Sequence, residues 1–204
     1  MHPADELSTV RKRPKPGERR VQILQNLAEM LEQPGAERIT TAALAARLEV
    51  SEAALYRHFA SKAQMFEALI DFIESSVFGL INQIAGRELP GREQAAHMVA
   101  VVLKFGEKNP GMARVMVGDA LVHEHERLQQ RMNMLFDKLE AAFRQSMRDG
   151  ATVPGDQLTP EPDGKVTASV LTAFVVGRLQ RFARSGFRRS PLEHEQESLR
   201  VLLG

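Results

Sequence analysis

Hydrophobic residues recur every three or four positions along most of this chain and strand-forming runs are scarce, so the pattern predicts helices throughout. From Glu18 to Gln33, Ile23 or Leu24, Leu27, Ala28 and Leu31 form one stripe, and Pro34-Gly35 ends the helix. A short second helix puts Leu44, Ala45 and Leu48 on one face. Thr40 or Thr41 caps it, because a hydroxyl satisfies N–H groups that a helix start leaves free. Ser51 caps a third helix of barely two turns, with Ala54, Leu55 and Phe59 inward and Glu52, Tyr56, Arg57 and His58 outward. The fourth opens on the capping box Ser61-x-x-Gln64 and stops at Gly86. Its buried face reads Phe66, Leu69 or Ile70, Ile73, Val77, Leu80 and Ile84. Phe72 and Phe78 sit about 100° from that stripe, as edges of the core or as exposed anchors for a partner.

Arg92 to Lys108 is apolar almost all round between Ala95 and Phe105, the pattern of an enclosed helix, with His97 as the ionisable group deep in that run. Asn109-Pro110 breaks it and restarts a short helix through Val117. Gly118-Asp119 then turns the chain into a long helix from Ala120 to Asp149. Its Leu128, Met132, Leu135, Leu139, Ala142 and Ser146 make a coiled-coil-like seam. Residues 151–164, with Pro154, Pro160 and Pro162, read as a loop. Lys165 to Arg184, and a last helix capped by Ser190-Pro191-x-Glu193 and running to Leu203, complete an all-α chain. Ala173-x-x-x-Gly177 lets another backbone approach closely, and Val170, Leu171 and Phe174 give it apolar cover. These end helices are the expected homodimer interface.

The two short helices, joined by a tight turn, have the helix-turn-helix form that presents side chains to the DNA major groove. Charge supports that reading once its distribution is considered. The net charge is only +1, yet Arg11, Lys12, Arg13, Lys15, Arg19 and Arg20 face a single acid, Glu18. Residues 1–17 therefore read as a flexible basic arm, solvated alone and able to track phosphates beside DNA. Arg178, Arg181, Arg184, Arg188 and Arg189 read as a solvated charged face.

Other chemistries are poorly supplied. Cysteine is absent, which removes disulfides, thiolate zinc sites and cysteine nucleophiles. No Gly-rich phosphate loop, G-x-S-x-G elbow or H-E-x-x-H zinc helix appears, so neither an enzyme nor a cofactor is expected. His123 and His125, two positions apart on a helix, point about 200° apart and cannot share one ion. With no apolar leader, and no run long and uncharged enough to span a bilayer, the expected location is the cytoplasm.

The run A-L-A-A-R-L-E-V-S-E-A-A-L-Y-R-H-F-A-S-K resembles the helix-turn-helix of the TetR superfamily, in which Leu55, Tyr56, His58, Phe59, Ser61 and Lys62 match the closing string. Glu49 stands at the turn position usually held by Gly, a departure costing on the order of 1 kcal/mol. The resemblance implies a TetR-like fold: a DNA-binding domain over 18–60, and a helical dimerisation and partner-binding domain over 61–204 that pairs through its last two helices. Five strings, I-L-Q-N-L-A-E-M-L-E, R-I-T-T-A-A-L-A, V-S-E-A-A-L-Y-R-H-F-A-S-K, M-F-E-A-L-I-D-F-I-E and F-G-E-K-N-P-G, further resemble the nucleoid occlusion factors of that superfamily.

That closer likeness implies a nucleoid-associated homodimer on palindromic DNA sites, with one or more dimers per site, which when DNA-bound antagonises the tubulin-like division protein FtsZ. Tyr56, His58 and Lys62 are expected at phosphates, and Thr40, Thr41, Glu52 and Ala53 where base edges can be reached. Arg19, Arg20, Ser51 and Arg57 complete the expected DNA-binding set. The likeness also implies an FtsZ-facing groove between the fourth and fifth helices, where Phe72 and Asn109 match. Lys108 replaces Arg there and loses its bidentate fork, Val101 replaces Leu, Lys104 replaces Gly, and Leu80 stands where a basic residue is expected. A ligand-responsive TetR-type repressor is the alternative.

Overall fold

The computed structural model describes residues 17–33, 39–150 and 164–204, and among them every regular element is a helix. In order these are α1 Glu18–Leu31, α2 Thr41–Arg47, α3 Glu52–Tyr56, α4 Lys62–Ala85, α5 Gly91–Lys108, α6 Pro110–Met116, α7 Glu126–Gly150, α8 Gly164–Arg184 and α9 Glu195–Leu203, with a 3-10 turn at Asp119–Leu121. The basic arm through Pro16, the Pro34-Gly35 stop and the loop at 151–163 lie outside the described residues.

Hydroxyl caps set the starts of α2, α3 and α4. Thr40 accepts from the Ala43 N–H at 3.1 Å, Ser51 from Ala54 at 3.3 Å and Ser61 from Gln64 at 3.2 Å. Gln64 reaches back in return, though its amide oxygen accepts from Ala60 at 2.9 Å rather than from Ser61 itself. α2 ends in a Schellman motif: Val50 N–H donates to Ala45 and Glu49 N–H to Ala46, which requires Glu49 to take the left-handed φ of 53°. The departure noted at Glu49 is thus a real backbone demand met without glycine.

The stripes of α1 to α3 (Ile23, Leu27, Leu31, Leu44, Leu55), with Phe59 just beyond α3, continue into that of α4, so the head formed by α1 to α3 and the body formed by the later helices share one hydrophobic core. α4 packs against α1, α5, α6 and α7, and α8 against α5, α6, α7 and α9. Polar ties reinforce the head, where Arg47 of α2 pairs with Glu29 at 2.6 Å and donates to Asn26 at 3.1 Å, both on α1. Along the body, α4 and α7 are joined by Arg127–Glu67 at 2.7 Å, Arg131–Asp71 at 2.8 Å, Arg131–Glu74 at 3.1 Å and Lys138–Glu74.

Several expectations need correction. On α4 the last core turn uses Ile81, 2% exposed, while Leu80 is 40% exposed. α4 is also long and apolar enough to cross a membrane by length and composition. Its stripe from Met65 to Ile84 is nevertheless buried in the core and its acids are paired with α7. α5 is not enclosed all round, since His97, Lys104 and Lys108 face solvent. α7 begins at Glu126, so His123 and His125 lie before it and the helical-angle argument does not apply to them. Its seam extends further than expected, through the buried Phe143 and Met147. α9 starts at Glu195, after His194 at a left-handed φ of 53°. Ser190 instead accepts from Leu192 N–H at 3.1 Å and donates to Glu107. Leu171, expected as interface cover, is fully buried core.

Candidate nucleic-acid interface

The head presents α3 across the Glu49 turn, and the residues expected to read DNA divide by what already occupies them. Glu52, Ala53 and Tyr56 on α3, and Arg57 at its C-cap, are exposed and free of any role in the core. Thr40 and Ser51 are exposed as well, but their hydroxyls serve as caps. Thr41 Oγ1 donates to Glu52 Oε2 at 2.5 Å, bridging the starts of α2 and α3 and fixing the orientation of that carboxylate. Arg19, half-buried on α1, donates to Gln22 at 3.2 Å.

Two expected cations are engaged elsewhere. Arg20 lays its guanidinium over the Phe59 ring, 4.0 Å from the centroid, and donates to the His58 carbonyl just beyond α3. That arrangement fixes the exit of α3 against α1. Lys62, at the first position of α4, donates its Nζ to Glu124 in the segment before α7. Sequence patterns carry no sign of either contact, because both join positions distant along the chain.

A second surface lies between α4 and α5. Phe72 is 48% exposed and its ring centroid stands 6.3 Å from that of Phe105, which is almost fully buried. Phe78, by contrast, is half-buried and packs on the core, so the two aromatics that the sequence left open take opposite fates. On α5, Val101, Lys104 and Lys108 share one helical face around Phe105, Val101 half-buried and both lysines exposed. Asn109 closes that end by donating Nδ2 to the Phe105 carbonyl at 2.8 Å, and its side chain does not cap α6. The structure therefore brings Phe72, Val101, Lys104, Lys108 and Asn109 to one region: an aromatic edge with a basic rim.

The third surface is on α8. Val166, Val170 and Ala173 are exposed and Gly177 has open space where a Cβ would stand, giving an apolar stripe along one face. Phe174 is half-buried on the core beneath the Arg178 guanidinium, 5.0 Å from its ring centroid. Val201, on α9, is 84% exposed. Among the described residues no group of histidines and carboxylates has the arrangement to hold a metal ion.

Residues 23–69 match the family of bacterial regulatory proteins of the tetR type, and residues 93–203 match the tetracyclin repressor-like C-terminal domain of the SlmA-like kind. The nucleoid occlusion factor SlmA of Idiomarina loihiensis is 45% identical over 184 residues, covering 90% of this chain and 93% of that protein. That of Cronobacter sakazakii is 49% identical over 174 residues, covering 85% and 87% respectively. That of Colwellia psychrerythraea is 43% identical over 197 residues, covering 97% and 98%. In fold, the chain resembles the MbdR regulator from Azoarcus sp. CIB, with a TM-score of 0.74 at 16% identity over 90% of this chain and 96% of that one.

Proposed function

The chain belongs to the SlmA nucleoid occlusion factors, built on the TetR framework, and we propose that it acts as a homodimer whose DNA-bound form antagonises FtsZ assembly over the chromosome. Members of this family are DNA-binding regulators, not enzymes. Two copies of α3 enter successive major grooves about 34 to 36 Å apart on a roughly palindromic site. Glu52, Ala53, Thr40 and Thr41 face base edges there, while Tyr56, Arg57, His58, Lys62 and Arg19 meet phosphates. Arg20 acts through position, by holding the end of α3.

Residues 18–60 serve as the DNA-reading domain and 61–204 as the dimerisation and partner-binding domain. Val170, Phe174 and Gly177 meet their counterparts across the dimer. FtsZ docks along Phe72, Val101, Lys104, Lys108 and Asn109, and the assembly sits in the cytoplasm on the nucleoid.

One observation carries the coupling. α4 is a single unbroken helix with Lys62 in its first turn and Phe72 about 15 Å further along, so a phosphate contact and a partner contact share one rod. Sedimentation of FtsZ polymers with GTP tests the proposal, with the protein present and a DNA duplex selected for binding either added or omitted. Loss of polymer only with that duplex is expected, and Phe72→Ala removes the loss while keeping DNA affinity. Polymer unchanged under every condition refutes FtsZ antagonism and leaves a ligand-responsive repressor as the reading.

A further inference from the structure

Lys62 begins α4, where a phosphate contact needs an available ammonium, yet its Nζ is held by the carboxylate of Glu124, 62 positions away. Exposure of the two side chains is 24% and 9%, so this is not a rim pair that solvent weakens to nothing. The ammonium also stands 5.7 Å from the centroid of the Phe66 ring, one turn further along α4. Glu124 is not on a loose strand of chain. Its N–H donates to Leu121 at 3.0 Å, and the segment is pinned by the buried Ala120 and Leu121 before it and Leu128 after it.

Resting on the reading of Lys62 as a phosphate contact, we propose that Glu124 is an internal competitor for the DNA backbone. It occupies Lys62 in the free protein and yields it when a phosphate arrives. A carboxylate and a phosphate are alternative anionic partners of one ammonium, and both bind it through charge-assisted hydrogen bonds. DNA binding therefore breaks an existing ion pair before making a new one, which lowers affinity at every sequence equally. The exchange also severs a tie between the head end of α4 and the segment that leads into α7. The body thus receives a local change that depends on DNA being present.

Fluorescence anisotropy of the selected duplex, measured across a salt series, tests this with Glu124→Gln, Lys62→Met and the double variant. Glu126→Gln, which removes a neighbouring exposed acid, is the control for general charge. Circular dichroism melts confirm that each variant is folded at the assay temperature. Glu124→Gln should tighten binding of the dimer about nine- to 25-fold, the product of about three- to fivefold for one partly exposed ion pair in each protomer, with the salt slope unchanged. Lys62→Met should weaken binding and reduce the slope by about 1.8, one phosphate contact being lost from each protomer of the dimer. In the Lys62→Met background, Glu124→Gln should gain no more than the Glu126→Gln control, since the two residues act through each other. Equal or weaker binding by Glu124→Gln, or an undiminished gain without Lys62, overturns the competition while sparing the phosphate reading. Unchanged affinity and slope in Lys62→Met overturns the phosphate reading itself.

Discussion

Gly111→Ala is the substitution that most directly probes how the head is seated on the body. Gly111 lies in the first turn of α6, against α1, and a Cβ built on it would stand 2.2 Å from the Ala28 carbonyl oxygen, 3.1 Å from that carbonyl carbon and 3.3 Å from Leu31 Cβ. Carbon and oxygen in close contact sit at about 3.3 Å, so the two helices must part by roughly 1 Å. No rotamer relieves the clash, because the obstructing atom belongs to a helix backbone. Movement is resisted on both sides by Ile23, Leu27 and Leu31 of α1 and by Met112, Val115 and Met116 of α6, all buried. Alanine returns at most about 1 kcal/mol of helix propensity. Forcing packed elements apart costs about 1–3 kcal/mol, and an overlap of this size with helix backbone takes the upper part, about 2–3 kcal/mol, so the net loss is about 1–2 kcal/mol. For a chain of this size each kcal/mol moves Tm by roughly 2–4 °C, so a fall of roughly 2–8 °C is expected. Calorimetry or a circular dichroism melt reads it, with DNA affinity measured alongside because α1 also carries the ties to α2. An unchanged or higher Tm would refute the argument that α1 and α6 are in fixed backbone contact.

Glu49→Gly removes a left-handed backbone penalty and should raise stability by about 0.5–1 kcal/mol in chemical denaturation, with DNA affinity retained. A loss of stability would mean that the Glu49 side chain outweighs its backbone strain. The Lys138 hydrogen bond, opposed by burial and assisted by Lys138 and Arg131 charge, holds the Glu74 carboxyl below its ordinary 4.5. Its contribution to stability is therefore present above that value and lost as pH falls through the lowered one. Glu74→Gln should lower Tm at pH 7 and flatten the loss of stability on acidification, and parallel pH profiles for the two proteins would refute this. Val170→Asp should leave helicity unchanged while shifting the protein to monomer in sedimentation velocity, since Val170 is 42% exposed on the outward apolar stripe of α8. A dimer that survives at low micromolar concentration would place the interface elsewhere.

Short-range chemistry was the most legible part of this sequence. The caps at Thr40, Ser51 and Ser61 and the demand at Glu49 are local, so residue type and spacing announce them. The outward turn of Phe72 was legible only as an angle, and tertiary packing decided that Phe72 is exposed while Phe78 is not. Leu80 and Ile81 show where period fails: adjacent apolar residues at the end of a long stripe are separated by a single 100° step, and the contact with the core selects one. The early start expected for α7 has a similar cause, because a 3-10 turn at Asp119–Leu121 imitates the spacing of a helix. His97 faces solvent from within an apolar run, since a helix packed on several sides can still leave one row uncovered. The engagement of Arg20 with Phe59 and of Lys62 with Glu124 had no local signature at all.

The length of α4 has a mechanical consequence. Its 24 residues make a rod about 36 Å long, and Phe72, whose ring stands against Phe105 of α5, lies about 15 Å along it from Lys62. A rotation of about 5° around Phe72 moves the Lys62 end by about 1.3 Å, on the geometry of a rod with the helical rise. Hydrogen bonds to phosphate tolerate displacements of only a few tenths of an ångström, roughly the width of their distance distribution. If α4 carries both contacts proposed for it, a tilt of a few degrees at Phe72 is therefore enough to move Lys62 out of hydrogen-bonding register with a phosphate. The same geometry runs in reverse, so a phosphate held at Lys62 would limit how far α4 can tilt at Phe72.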